Sequence, residues 1–212
     1  MTATRRIAVI TGLSLLAMAI IAPIAVFGVI GQVRVSGDAA ATAAAILESA
    51  GAYRAAVAAL VLVAILDVVI AWGLYILFIP AGKELSRLAA WFRLAYVAIF
   101  LPAIANLLLA LLAAESDPAR TLFYLRAYDL TWQAGLAVFG VHLLLLGVLA
   151  WRTGYVRRVL AALLVLAGAG YLLDGFAALL LATPPITLAT FTFVGEVLFI
   201  LWLLIRGGRT PD

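Results

Sequence analysis

The stretch FGVHLLLLGVLAWRTGYVRRVLAALLVLAGAGYLLD, residues 139–174, decides the fold. Two apolar runs flank RTGYVRR, a short segment with three arginines, Arg152, Arg157 and Arg158. Extended to residues 129 and 182, each run exceeds the ~20 apolar residues that carry a helix across a bilayer. The pattern predicts two antiparallel transmembrane helices joined by a cationic turn. It also puts the only histidine of the chain, His142, in one run and Asp174 in the other.

The rest of the chain repeats this design. Of its 212 residues, 67% are hydrophobic and 11% charged, with mean hydropathy +1.23, far from a soluble domain. Six spans are predicted, at about 7–33, 55–79, 92–114, 129–151, 158–182 and 186–205, within one transmembrane domain covering 1–212. The first follows Arg5 and Arg6 but is longer than a signal-peptide core and lacks a small-x-small exit, so it reads as a retained span. With the N-terminus inside, Arg5, Arg6, Lys83, Arg87, Arg93, Arg152, Arg157, Arg158, Arg206 and Arg209 face the cytoplasm, against Arg34, Arg54, Arg120 and Arg126 outside. That bias predicts a multi-pass protein of the bacterial cytoplasmic membrane with both termini cytoplasmic.

Composition excludes several classes. Without cysteine there is no disulfide framework and no thiolate ligand or nucleophile. The net charge of +4 is scattered between apolar runs, so the expected partner is the lipid bilayer and not nucleic acid.

Two outer connections are long enough for short interfacial helices. In residues 36–51, Ser36 or Asp38 offers an N-cap and Gly51 a stop; in 115–130, Asp117 caps a helix opened by Pro118. Phe123, Tyr124 and Tyr128 then lie at headgroup depth.

Three of the ten acidic residues, Asp67, Asp174 and Glu196, fall inside spans, as does His142. A charge at the bilayer centre costs roughly 2.5–3.5 kcal/mol on insertion scales, so these side chains are expected to face the bundle interior and to converge. Asn106, Tyr128 and Thr192 share helical faces with small residues or with the titratable set, and are the expected substrate contacts. As read from the sequence, no lysine or arginine joins the three acids. Some of them must then be protonated, or a cation must occupy the site, with His142 as counter-charge and proton partner. No two of these residues have metal-ligand spacing, and neither a metal nor a cofactor is expected.

The segments GDAAATAAAILES, AILDVVIAWGLY, residues 139–174 and GEVLFILWLLIRGG resemble a large bacterial family of membrane proteins, domain of unknown function 4386. The resemblance runs over nearly the whole chain and implies membrane placement and the positions Asp67, His142, Asp174 and Glu196. It implies no particular reaction. Three functions fit these residues: a site that binds or processes a hydrophobic small molecule or lipid, proton- or cation-coupled transport, and a scaffold whose polar groups only hold helices together.

Overall fold

The computed structural model of the protein describes residues 2–154, 156, 158–181, 188 and 194–208. Among these residues every regular element is helical: α1 (Ala3–Ala25), α2 (Ala39–Glu48), α3 (Ala50–Phe78), α4 (Lys83–Ala114), α5 (Pro118–Arg152), α6 (Arg158–Leu180) and α7 (Val194–Ile205). Five helical stretches are long and apolar enough to cross a membrane: Ala3–Ile30, Ala50–Ala81, Lys83–Ala114, Pro118–Arg152 and Arg158–Leu180. Of the expected sixth span, the 12 residues of α7 are described, whereas 186, 187 and 189–193 lie outside the described residues.

Local chemistry explains most of the boundaries. Asp38 caps α2 by accepting the Ala41 N–H at 2.8 Å. The stop comes at Ser49, not at the expected Gly51, which lies in the first turn of α3. At Asp117–Pro118 the expected cap forms, with Asp117 Oδ1 accepting the Arg120 N–H at 3.0 Å. The short outer helix expected there is instead the beginning of α5, because residues 118–129 hold no glycine and no further proline that would end it. Pro23 has no N–H to donate, and three residues later the chain widens into a π-helical turn, Val26–Ile30, closed by Gly31 N–H to Val26 O at 2.7 Å. Pro102, by contrast, sits inside an uninterrupted α4.

The helices pack in two compact units, and α1, α3, α4 and α5 each supply one segment to each. Residues 1–16, 66–97 and 133–212 form the first. There Ser86 Oγ donates to Tyr75 O at 2.8 Å, tying α4 to α3. Glycines bring α5 and α6 together: a Cβ at Gly140 would stand 2.6 Å from Gly168 O, and one at Gly175 would stand 2.6 Å from the Ala137 Cβ. Such small-residue seams let two backbones approach where lipid offers no hydrophobic drive to association. Arg5, at the start of α1, donates to Leu203 O and Gly207 O at 2.9 Å each and also to Leu204 O. Leu203 O and Leu204 O are carbonyls the end of α7 leaves unpaired, so Arg5 serves α7 as a side-chain cap.

Residues 17–65 and 98–132 form the second unit. Tyr53 is wholly buried and its hydroxyl donates to Leu107 O at 3.2 Å, joining α3 to α4. Arg34 grips Asp129 through two hydrogen bonds, of 2.6 and 2.9 Å. Burial works against the Arg34 charge, but the Asp129 hydrogen bond and carboxylate outweigh it and raise the guanidinium pKa above its ordinary value.

Gly168→Val should lower the unfolding temperature in detergent markedly, since overpacking costs roughly 1–3 kcal/mol. Gly51→Ala, with nothing within 4 Å of the added Cβ, should leave it unchanged or raise it slightly. Thermal unfolding of the two variants beside the parent checks the seam.

Candidate functional site

In the first unit three neighbouring helices each place one titratable side chain at 1% exposure: Asp67 on α3, Arg93 on α4 and His142 on α5. Arg93 joins the other two. Its Nε and Nη2 donate to Asp67 Oδ1 at 2.8 and 2.5 Å, and its Nη1 lies 3.2 Å from His142 Nε2. Beneath the guanidinium, the Phe139 ring centroid is 5.2 Å away. Phe139 also contacts the His142 ring at 5.6 Å and the Tyr171 ring at 5.5 Å, closing an aromatic wall around the cluster.

The partners fix the state of the histidine. A guanidinium only donates, so His142 Nε2 must be the bare, accepting nitrogen. On the other side, Nδ1 lies 2.8 Å from Ala89 O, which only accepts, so Nδ1 carries the proton. His142 is therefore a neutral Nδ1–H imidazole with both nitrogens engaged. It is not the counter-charge expected from the sequence.

Arg93 corrects the expected charge balance as well. Expected in a cytoplasmic loop and apart from the three acids, it is buried and neutralises Asp67 directly. Neither protonation of Asp67 nor a guest cation is needed there. A periodic signal for this was present: Ser86, Ala89, Arg93, Tyr96, Val97, Phe100, Ala103, Ile104 and Leu107 all lie on the buried stripe of α4, whereas Arg87, Trp91 and Leu94 are exposed.

Glu196, in the first turn of α7, stands within electrostatic reach of Arg93 and Asp67 and has the Tyr171 hydroxyl beside its carboxyl. Two carboxyl oxygens in this unit, Asp67 Oδ2 and Glu196 Oε1, are buried without a hydrogen-bond partner.

Asp174 belongs to the same unit, within electrostatic reach of Tyr171. Asp174 is half-buried near the end of α6, where its Oδ1 accepts the Leu188 N–H at 2.9 Å. Asn106 belongs to the second unit and donates to Pro102 O on its own helix at 3.0 Å. Tyr128 is in the second unit too; it is buried, with Arg34 6.0 Å from its ring. Phe123 does stand exposed. Thr192 lies outside the described residues. Among the described residues, no three histidine, aspartate or glutamate side chains gather as metal ligands.

The sequence pattern of the domain of unknown function DUF4386 matches residues 10–207. The chain belongs to the DUF4386 family. An uncharacterised protein of Archaeoglobus fulgidus is 34% identical over 151 residues, which cover 71% of this chain and 83% of that protein. No solved structure matches. The match to DUF4386 takes in Asp67, Arg93, His142 and Glu196 together.

Arg93→Met should destabilise the protein by about 3–5 kcal/mol, the usual consequence of leaving a buried charge uncompensated. Asp67→Leu combined with Arg93→Met should recover most of that loss, and denaturation of both variants in detergent measures the coupling. For His142, side-chain 15N spectra at neutral pH should show a protonated Nδ1 and a bare Nε2; an imidazolium pattern would overturn the assignment.

Proposed function

We propose that this DUF4386 protein crosses the cytoplasmic membrane six times, with both termini cytoplasmic, and binds the polar end of a hydrophobic small molecule or lipid beside Asp67 and Glu196. The single observation behind the binding site is the pair of buried carboxyl oxygens, Asp67 Oδ2 and Glu196 Oε1, left without donors. A buried acceptor without a partner costs about 1–3 kcal/mol, and a hydroxyl or ammonium group on a guest removes that cost. Asp67 is already neutralised by Arg93, so Glu196 is the acid whose charge a guest would answer. Both nitrogens of His142 are engaged, which leaves it no free site for acid–base chemistry and favours binding over processing.

The topology draws support from Arg5. Its contacts with Leu203, Leu204 and Gly207 bring the start of α1 to the end of α7, as an even number of crossings requires. The basic residues described near those ends, Arg5, Arg6 and Arg206, agree with a cytoplasmic location. The scaffold function has its own observation: Asp67, Arg93 and His142 already satisfy one another across three helices, which would suffice to hold them. Glu196 separates the two readings.

In nanodiscs, a long-chain alcohol and amine should raise the unfolding temperature of the parent protein, whereas the alkane of equal length should not. Glu196→Leu should abolish both responses, and Glu196→Gln should keep the alcohol response but weaken the amine one. Equal responses in the parent and Glu196→Leu would leave the scaffold function standing. Reporter fusions at each terminus, one active only in the cytoplasm and one only outside, check the topology.

A further inference from the structure

The second unit contains the complementary deficiency. Tyr128 hydroxyl and Trp132 Nε1 are both buried and have no hydrogen-bond partner. They lie one turn apart on α5, with ring centroids 5.6 Å apart and planes tilted by 34°. Phe100 on α4 continues the wall, 6.3 Å from the Trp132 ring. An indole N–H can only donate and a phenol hydroxyl does so readily, so this corner lacks an acceptor, whereas the carboxyl pair beside Arg93 lacks donors.

We propose that this corner of the second unit is a separate binding site for a neutral carbonyl oxygen, supplied by a lipid ester or by a free carbonyl compound such as a quinone. Three observations specify the guest. The two donors call for an acceptor. The neighbouring cation, Arg34, is already committed to Asp129 through two hydrogen bonds, so no positive charge is left over for an anion. The surroundings are aromatic, with Tyr53, Tyr128 and Phe100 at 0–2% exposure, which suits an apolar molecule carrying one polar atom. The other phenol of the corner, on Tyr53, is satisfied by Leu107 O and does not compete for the guest. The site shares no residue with the Asp67–Glu196 site and stands or falls independently of it.

The test uses the full-length protein in nanodiscs of ester-linked or ether-linked phosphatidylcholine, which differ in the acyl carbonyl. If a lipid ester serves the site, the Trp132 indole N–H resonance, assigned by its loss in Trp132→Phe, shifts downfield in ester discs relative to ether discs and exchanges more slowly. Adding a short-chain quinone to the ether discs produces the same shift if the source is a free carbonyl compound. The double substitution Tyr128→Phe with Trp132→Phe gives a second readout. It lowers the unfolding temperature where a carbonyl is available, and leaves it unchanged or raises it in ether discs without quinone, where only unserved donors are removed. An indole signal identical in all three settings, with a double variant that behaves alike throughout, means that a trapped water serves these groups and overturns the proposal.

Discussion

A guanidinium buried between an aspartate and an imidazole governs the interior of the first unit. Arg93 brings a permanent positive charge to a place where charge is expensive, and the surrounding groups are arranged to meet it. Two of its donors go to one oxygen of Asp67 and a third goes to His142. Because arginine cannot yield its proton, it sets the role of both partners: the aspartate oxygen accepts from it, and the histidine is held neutral with its proton on the far nitrogen. The far nitrogen then needs an acceptor, and Ala89 O, one turn before Arg93 on the same helix, provides it. Helices α3, α4 and α5 are thus cross-linked by one network, each bond of which depends on the others.

Much of the fold was legible in the sequence because hydrocarbon length and helix chemistry act locally. Apolar runs gave five of the described helices, and Asp38 and Asp117 marked helix starts by the same capping chemistry seen in soluble proteins. The continuity of the helix starting at Pro118 with the apolar run after it was missed since nothing between Pro118 and Asp129 signals a stop, and a change from polar to apolar composition is not a helix end. Asp67 and His142 were recognised as buried because a charge or imidazole inside a span has to be explained. Arg93 escaped for the opposite reason: two residues from the start of the apolar run, it looked like a loop residue. Only the continuation of its helical stripe down α4 reveals which way it faces.

The pairing itself was not readable from sequence. Asp67 and Arg93 are separated by 26 residues, and Arg93 and His142 by 49, with no repeat or motif linking them. Which acid meets which base depends on how far each helix slides along its neighbour, and no residue type marks that register chemically. Asp174 shows the consequence. It too is an aspartate within an apolar run, yet its Oδ1 is occupied by the backbone N–H of Leu188.

The groups left over after this pairing are sorted by chemistry. In the first unit the buried orphans are carboxyl oxygens, acceptors beside an arginine whose charge Asp67 already balances. In the second they are an indole and a phenol, donors beside an arginine likewise balanced by an aspartate. In both, the nearby ion pair is closed, so what the orphans lack is a hydrogen-bond partner from outside it. Unmet buried groups each cost about 1–3 kcal/mol, comparable to what a close glycine seam or a helix cap contributes, and a folded chain gains by having them filled. On the proposed reading, membrane-soluble molecules with a single polar end would fill them, since such a molecule brings one hydrogen-bonding group and little else to desolvate.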